Sequence, residues 1–514
     1  MDSDKKPTVD IPKDAREIIG KMNSPSKEDV ALIEKAFDFA KRAHEGHQRY
    51  SGEPYFVHSY ATAKNLAELQ MDAKTITAGL LHDTLEDARL SRQVIEKEFG
   101  SEILFLIEGV TKLGKLKYRG AERHIESLRK LFVAMAQDIR VLIIKLTDRL
   151  HNMETLEYVP KEKQGRIALE TLQVYMPLAY RLGMRKLTRE LQDLAFPYVY
   201  PENYKKVKKI LKEKSKETQD NLEKTLNSIK KELAKAGFTK FKTDYRIKGL
   251  YSTYQKLLRN EMDPDKIYDF SAIRIIVENE ADCYKVLGII HSNWRPLPGR
   301  IKDYIAFPKP NGYRSLHTTV FTGDGSIVEI QIRTEEMHRE MEYGLAAHAS
   351  YKEGFVKRFI NPNLLWIAKL LLPRRGKAKT AEEKTNGNIP SWIKELAEEQ
   401  LKTASHKEFV KNLEQDFFEE RVFVFTPKGD VIDLPLHSSP VDFAYAVHSE
   451  IGDRMAGAKV NGKLVSLESE LQNGYIVEII TKESARQSKK WLEFAKTAMA
   501  KRHIRNVLNA PSNK

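Results

Sequence analysis

Residues 325–334 read GSIVEIQIRT, in which aliphatic and polar side chains alternate. Successive side chains of a β-strand point to opposite faces of a sheet. The alternation therefore predicts a strand that buries its aliphatic face and presents Glu329 on the other face. A second β-branched run, IRIIV at 273–277, predicts a further strand, and helical patterns lie between such runs. Residues 240–350 are thus predicted to form an α+β domain.

The regions on either side of this domain have different patterns. From about 25 to 200, apolar residues recur three and four positions apart, which predicts an all-helical domain. The lysine- and glutamate-rich segment 204–235, which Gly237 ends, predicts a long exposed helix at the boundary. After residue 420, alternating runs such as VFVF and IVEII predict a small β-rich module. The predicted domains are 1–200, 201–375 with the long helix at its start, a linker with a helical segment at 376–418, the module at 419–482, and the start of a helical region at 483–514.

Composition limits the class of protein. The chain has 514 residues, more than one hydrophobic core usually organises, and a formal charge of +14. That charge implies an anionic partner, either nucleotide phosphates, nucleic acid or both, unless it is only a basic solvated surface. No apolar stretch is long enough to span a membrane, the N-terminal residues lack an apolar signal core, and Cys283 is the single cysteine. We therefore expect a cytoplasmic protein without disulfides.

The segment AGLLHDTLEDA at 78–88 concentrates one imidazole and three carboxylates. Residues four apart on a helix share a face, which pairs His82 with Glu86 and Asp83 with Asp87. Three carboxylates this close repel one another unless a cation lies between them. The His82–Asp83 dipeptide alone does not identify a metal site, because a helix cap with solvated acidic residues would give the same sequence.

Two other segments carry further candidate ligands. His58 lies in SGEPYFVHS at 51–59, and Asp148 follows a strongly apolar run in VLIIKLTDRLHN at 141–152. With His82 and Asp83 they give a mixed nitrogen and oxygen set, which suits manganese, iron or zinc better than calcium. A metal ion of this kind activates water for attack on phosphorus, and the acidic pair of residues 86 and 87 remains to orient that water and move its proton.

The α+β domain offers the parts that pyrophosphoryl transfer requires, namely a magnesium site, cations and a base. Glu329 and Asp269, in YDFSAIRIIV at 268–277, are the candidate carboxylates. Counting alternate positions from Asp269 sends Arg274 to the opposite face unless a bulge intervenes, so Arg274 is left out of the predicted site. Cations cluster in YRIKGLYSTYQKL at 245–257, with Arg246, Lys248 and Lys256, and in GRIKDYIAFPKPNGYRSLHT at 299–318, with Arg300, Lys302, Lys309, Arg314 and His317.

The PNGY sequence at 310–313 predicts a turn. Such a turn either exposes Tyr313 as a flat stacking surface for a base or carries it as a half-buried structural residue. The sequence has no GxxxxGK[ST] motif, so ordinary P-loop nucleotide chemistry is not predicted, and a single cysteine cannot form the Cys-x-x-Cys pairs of a structural zinc site.

In the helical region, RxSGEPYxxH, HDxxED and KLxDRLHN occur in an order and spacing that resemble the hydrolase domain of RelA/SpoT homologues, within the HD phosphohydrolase superfamily. The resemblance covers about residues 40–185. It implies that His58, His82, Asp83 and Asp148 hold a metal, usually manganese, and that Glu86 and Asp87 catalyse removal of a 3′-pyrophosphate. It also implies nucleotide contacts at Arg49, Ser51, Asn152 and Thr155. Tyr50 departs from the family pattern, because that position is often basic in hydrolysing members.

Residues 238–353 are similar to the nucleotidyltransferase-like synthetase domain of the same family. The similarity implies that Asp269 and Glu329 bind magnesium and that Glu329 activates the 3′-hydroxyl of GDP or GTP. It assigns Arg246, Lys248, Ser252 and Lys256 to ATP, which would leave as AMP, and Lys302, Lys309, Asn311, Tyr313 and His317 to the acceptor nucleotide, with Tyr313 stacking on guanine. The sequence RIKD at 300–303 looks like the basic form of bifunctional members, whereas Tyr245 stands where the family usually has glycine.

Residues 419–482 look like a TGS domain, a small β-grasp fold. By that resemblance His448 is a candidate contact to uncharged tRNA on the ribosome, and a simply packed histidine is the structural alternative. The predicted protein is a multidomain α and α+β enzyme that synthesises and hydrolyses (p)ppGpp. Two alternatives stay open: a hydrolase with a weak or silent synthetase, and a tRNA- or ribosome-binding sensor with vestigial catalytic domains.

Overall fold

The computed structural model describes residues 12–86, 90–112, 138–264, 267, 271–308, 313–322, 327–344, 421–472 and 474–509. Two compact units emerge, residues 1–397 and 398–514. The predicted linker at 376–418 lies outside the described residues. In the described parts of the chain, no helix has the length and apolar character needed to cross a membrane.

The first part of the larger unit is helical, as predicted from the apolar spacing. The helices of this part, called here the helical region, are α1 (Arg16–Gly20), α2 (Lys27–Ala43), α3 (Phe56–Glu68), α4 (Ala73–Leu81), α5 (Arg92–Lys112), α6 (Ile139–Glu154), α7 (Lys161–Glu170), α8 (Met176–Arg181) and α9 (Arg185–Val199), with a 3-10 turn at Leu156–Tyr158 and a π-helical turn at Thr171–Tyr175. Side chains cap several of these helices: Asp72 accepts from Thr75 N before α4, and Asp138 accepts from Arg140 N before α6.

Helices α3, α4 and α6 pack against one another around buried aliphatic residues such as Leu66, Leu80 and Ile144. Gly79 makes the approach of α3 and α4 possible, because a Cβ at that position would collide with the side chain of Leu66. This packing brings the C-terminal end of α4 next to the middle of α6, which is where the candidate metal ligands lie.

A long helix, α10 (Pro201–Lys235), follows at the predicted place. It starts with proline, whose fixed φ suits the first helical position. Its second half is not the exposed helix that the charge pattern predicted. Leu222, Leu226, Ile229 and Leu233 recur at spacings of four, three and four, and all four are buried in the core of the sheet that follows. The lysines and glutamates occupy only the other side of the helix.

The sheet region, as predicted, is α+β. Its elements are β1 (Lys242–Ile247), α11 (Leu250–Arg259), β2 (Ser271–Val277), α12 (Glu280–Asn293), β3 (Lys302–Asp303), β4 (Leu316–Phe321), β5 (Ile327–Thr334) and α13 (Glu335–Tyr343). The strand order is β1-β2-β5-β4-β3, with β2 and β5 parallel and the other pairs antiparallel.

One face of this sheet is apolar. Ile273, Ile275, Val328, Ile330 and Ile332 pack there against α10 and α12. The alternation in β5 is therefore confirmed, and its polar residues lie on the second face.

The smaller unit contains two sheets, β6 (Arg421–Phe425) with β7 (Val431–Pro435), and β10 (Val477–Thr481), β8 (Met455–Val460) and β9 (Lys463–Val465) in that order. Its helices are α14 (Pro440–Val447), α15 (Ser449–Asp453), α16 (Trp491–Phe494) and α17 (Ala498–Asn509). Asp442 organises this unit, because its buried carboxylate caps α14 with Ser439 and also accepts from the backbone N–H groups of Lys496 and Thr497.

Candidate active sites

Three predicted metal ligands meet in the helical region. His58 comes from α3, His82 follows α4 directly, and Asp148 comes from α6; all three are buried, and one ligand atom of each lies within 4.8 Å of the others. His58 Nε2 is 3.2 Å from Asp148 Oδ1. The fourth predicted ligand, Asp83, joins them, with its Oδ2 3.1 Å from His82 Nε2 and 3.5 Å from His58 Nε2.

The HD segment is not helical, in contrast to the prediction. Helix α4 ends at Leu81, and the residues after it make i to i+3 bonds, from Thr84 N to Leu81 O and from Glu86 N to Asp83 O. Such turns place residues three apart, not four apart, on the same side. The helix on which the pairing of His82 with Glu86 was predicted therefore ends before these residues. Asp87 lies outside the described residues.

Hydrogen bonds orient the two histidines so that one ring nitrogen of each faces the cluster. The carbonyl of Gly79 can only accept, so His82 donates to it through Nδ1 at 2.8 Å and keeps Nε2 for the cluster. His82 Nε2 is buried, and within the described residues it has no hydrogen-bond partner. A second bond that fixes the ring and leaves the other nitrogen open is the usual support of a metal-ligating histidine.

His58 has the same arrangement through another histidine. Arg49 donates to His151 Nδ1 at 2.9 Å, so that nitrogen is an acceptor, and His58 Nδ1–H donates to it at 2.9 Å. The lone pair of His58 Nε2 then faces the carboxylate of Asp148. Two acceptors at this distance repel each other unless a proton or a metal ion lies between them, and the nitrogen and oxygen donor set fits a divalent metal ion.

The electrostatics of the cluster agree with this fit. Burial lowers the pKa of His58. The hydrogen bond and charge of Asp148 raise that pKa, but by less than burial lowers it. Burial alone would also lower the pKa of His82, but the charges of Asp83 and Asp148 outweigh it and raise that pKa to about 9. The same pairing holds the pKa of Asp83 well below its usual range, against the effect of burial. A positive charge is therefore strongly stabilised at this point, as a bound cation requires.

Three supporting residues were missed in the sequence. His151 is buried, and burial with the neighbouring His58 and Arg49 lowers its pKa to about 3, so it stays neutral and accepts. Lys145 Nζ donates to Asp148 Oδ2 at 2.6 Å, and Tyr55 Oη donates to Asp83 Oδ2 at 2.9 Å. His151 and Lys145 lie on the same helix as Asp148, three residues after it and three residues before it. That spacing could have identified them from the sequence.

The predicted nucleotide contacts of the helical region lie beside the cluster. Arg49 donates to Asn152 Oδ1 at 2.6 Å, and Asn152 donates to Asp148 Oδ1 at 2.6 Å. Ser51 is buried and donates to Glu53, whereas Thr155 donates to a backbone carbonyl of α6. Next to Arg49, Tyr50 is 68% exposed, and Lys163 Nζ lies 5.8 Å from the centre of its ring.

A second constellation occupies the polar face of the sheet. Glu329 Oε1 accepts from His317 Nδ1 at 3.0 Å and from Gln331 Nε2 at 2.9 Å. Burial tends to raise the pKa of Glu329, but His317, Gln331 and the charge of Lys248 outweigh it and lower that pKa to about 2. Glu329 is thus an ionised carboxylate in a mostly buried place.

Strand register decides which residues share this face. Arg246 pairs with Ala272 and Ala272 with Glu329, so Arg246 lies on the face of Glu329. Lys302 pairs with His317, and His317 pairs with Gln331, which lies on the face of Glu329. Lys302 therefore lies on the same face.

Arg274 lies there too, because it pairs with Gln331. The prediction that Arg274 points to the opposite face is wrong. Strand β2 begins only at Ser271, so an alternation counted from Asp269 does not hold across the strand start. Asp269, Lys309 and Asn311 lie outside the described residues.

The predicted ATP segment runs from β1 into α11. Lys248 lies between these elements, and Ser252 and Lys256 are on α11. Ser252 Oγ accepts from Gln192 Nε2 at 2.7 Å, a contact between the sheet region and α9 of the helical region.

Tyr313 is not an exposed platform, since only 4% of it is accessible. Its hydroxyl is hydrogen-bonded to His317 Nε2 at 2.5 Å, which extends the chain from Glu329 through His317. The guanidinium carbon of Arg185, from α9, lies 4.4 Å from the centre of its ring.

Three family models match the chain. An HD domain matches residues 36–185, the region found in RelA and SpoT proteins matches 245–355, and a TGS domain matches 422–481. The chain belongs to the RelA/SpoT family. The resemblance drawn from its motifs is thereby confirmed, together with the three fold types expected for its parts.

Curated relatives of this RelA/SpoT protein align along nearly all of it. A GTP pyrophosphokinase of Myxococcus xanthus is 43% identical over 93% of this chain and 60% of its own. A guanosine-3′,5′-bis(diphosphate) 3′-pyrophosphohydrolase of Aquifex aeolicus is 44% identical over 93% and 64%, and the bifunctional (p)ppGpp synthase/hydrolase SpoT of Escherichia coli is 41% identical over 94% and 65%. The chain spans about three fifths of the length of the curated relatives it matches.

In the TGS domain, His448 is exposed and not packed in the core. Its Nδ1 accepts from Glu450 N at 3.2 Å, and it is the N-cap of α15. The simple packed histidine is therefore ruled out, and the ring has both a structural bond and an accessible edge.

Proposed function

We propose that this chain both synthesises and hydrolyses (p)ppGpp. Synthesis transfers pyrophosphate from ATP to the 3′-hydroxyl of GDP or GTP and releases AMP; hydrolysis returns GDP or GTP and pyrophosphate. The observation that carries the proposal is the presence of two separate acidic centres, the His58, His82, Asp83 and Asp148 cluster and the Glu329 centre, in one chain. The names of the relatives, which include a bifunctional synthase/hydrolase, support it.

In hydrolysis, water oxygen attacks the phosphorus bonded to the 3′ oxygen, the bond to the 3′ oxygen breaks, and pyrophosphate leaves. A divalent ion, for which we propose Mn2+, would supply Lewis-acid activation when bound by the four residues of the cluster. Glu86, beside Asp83, would take the proton of the attacking water together with Asp87. Arg49 would hold the nucleotide, because its guanidinium is bonded to His151 and Asn152 without an acidic partner among the described residues.

In synthesis, the 3′ oxygen of the acceptor attacks the β-phosphorus of ATP, the bond to the α,β-bridging oxygen breaks, and AMP leaves. Glu329 would receive the proton of the hydroxyl and, with Asp269, hold Mg2+, the ion that we propose here. With a pKa of about 2, Glu329 is a good anionic ligand and a weak base. A weak base suffices, since phosphoryl transfer passes through a loose transition state with little demand for early proton removal.

Cations on the same sheet face would hold the phosphates. Arg246 and Lys248 stand on the β1 side, and Lys302 and His317 on the β4 side, so the Glu329 centre lies between two positively charged groups. We assign the first group, with Ser252 and Lys256, to ATP, and the second, with Lys309, Asn311 and Tyr313, to the acceptor.

We further propose that the TGS domain contacts uncharged tRNA on the ribosome through the exposed His448, and that the enzyme works in the cytoplasm, where its nucleotide substrates are. A sensor with vestigial catalytic domains is less well supported, because the buried donor set of the helical region fits a metal ion closely.

Two assays on the purified chain test the proposal. One follows ATP and GDP with Mg2+, and the other follows pre-made ppGpp with Mn2+. We expect AMP and ppGpp in the first and GDP and pyrophosphate in the second. Hydrolysis without synthesis would favour the hydrolase with a silent synthetase, and tRNA binding without either reaction would favour the sensor.

A further inference from the structure

Arg185 is a residue of the helical region that reaches into the sheet region. It is the first residue of α9, and its guanidinium carbon lies 4.4 Å from the centre of the Tyr313 ring and 5.8 Å from that of Tyr180. A cation over an aromatic face at this distance is attractive. Tyr313, in turn, is bonded through His317 to Glu329, so Arg185 touches the first member of the chain that ends at the carboxylate.

Arg333 and Tyr304 also lie next to the Tyr313 ring. Arg333 lies 5.7 Å from the ring centre, is fully buried, and is held by Gln331 and Met341. Tyr304 packs edge-on against the same ring. Arg185 is part-buried and lies over the face of the ring, so among these neighbours it is the one that a stacking base would push aside. Among the described residues, Arg185 therefore occupies the space in which a flat base would stack on Tyr313.

The backbone turn before α9 lies directly against the sheet region. Gly344, at the end of α13, has a φ of +58°, and a Cβ there would collide with the backbone of Leu182, Gly183 and Met184. The turn that leads into α9 is thus docked against the sheet region by backbone contact.

Arg185 itself is weakly held. Its Nε is buried and has no hydrogen-bond partner within the described residues. Its positive charge also contributes, after the larger effect of burial, to the lowered pKa values of Arg246 and Arg333. The contact with Tyr313 is therefore set against repulsion from neighbouring cations, and an anionic nucleotide that enters would relieve that repulsion.

We propose that Arg185 covers the base-stacking face of Tyr313, so that it sets the affinity for the acceptor nucleotide and must be displaced when GDP or GTP binds. This inference rests on the assignment of Tyr313 to the acceptor in the proposed synthetase. It makes a residue of the helical region a determinant of acceptor affinity in the sheet region, without any part in the chemistry of either site.

The test compares the wild type with Arg185→Met, which keeps the aliphatic stem and loses the guanidinium. Arg166→Ala, an exposed arginine of α7, controls for the loss of one positive charge. Binding of GDP is measured by titration calorimetry in magnesium buffer, and the KM for GDP is measured in synthesis. We expect Arg185→Met to bind GDP about threefold or more tightly, since the competing cation–π contact is gone, with a lower KM and an unchanged rate of ppGpp hydrolysis.

Two outcomes would overturn the inference. Unchanged GDP affinity would mean that Arg185 does not compete with the base, and weaker binding would mean that Arg185 is itself a ligand of the nucleotide. Hydrolysis at the wild-type rate shows that the variant is folded. Absence of synthesis in every protein would count against the proposed synthetase, whereas the GDP affinities would still decide the role of Arg185.

Discussion

His58 and His151 face each other through their Nδ1 atoms, 2.9 Å apart, and the proton between them belongs to His58 because Arg49 already donates to His151. This contact fixes which nitrogen of His58 is open to a metal. Replacing His151 with alanine removes the acceptor, so we expect Mn2+ affinity to fall by about tenfold to a hundredfold. Calorimetric titration of Mn2+ measures this, and His437→Ala, an exposed histidine of the other unit, is the control. Unchanged affinity in His151→Ala would show that the second histidine does not orient the first.

Helix α11 is capped by a residue of another region. Its N-cap, Gly249, has no side chain, and Asp193 of α9 accepts from Tyr251 N at 2.9 Å instead. We expect Asp193→Ala to lower the free energy of unfolding by about 1–2 kcal/mol and to raise the KM for ATP, because α11 carries Ser252. Asp193→Asn keeps an acceptor and should lose less of both. Denaturant unfolding and initial rates measure the two effects, and an Asn variant as damaged as the Ala variant would argue against capping.

Cys283 is a built-in probe of unfolding. It lies on α12 and is completely buried against the apolar face of the sheet. Burial raises the pKa of its thiol to about 12. The reactive species is the thiolate, so we expect no reaction with a disulfide reagent at pH 8 in the native protein and one equivalent of reaction in denaturant. Rapid labelling of the native protein would mean that the packing of α12 against the sheet opens easily.

The sequence predicted best those features that depend on local pattern. Period-two alternation located Glu329 and the apolar face of β5, and the charge pattern that ends at Gly237 located α10 but not its buried side. The HD segment was placed on a helix because nothing in its composition marks Leu81 as the last helical residue. The structure replaces the helix there with i to i+3 bonds from Thr84 to Leu81 and from Glu86 to Asp83.

The errors at Arg274 and Tyr313 have tertiary causes. The face of Arg274 follows from the pairing of β2 with β5, two strands far apart in the chain. The burial of Tyr313 follows from Arg185, which belongs to a different region. His151 was within a recognised motif, but its role depends on the ring of His58 opposite to it.

The central claim is that one chain carries two independent and opposed active sites. Rates of synthesis and hydrolysis in the wild type, Asp83→Ala and Glu329→Gln test it most directly. We predict that Glu329→Gln loses synthesis by at least about a hundredfold and keeps hydrolysis, and that Asp83→Ala does the reverse. If either single substitution removes both reactions from a protein that is still folded, the two centres are not independent and the account is contradicted.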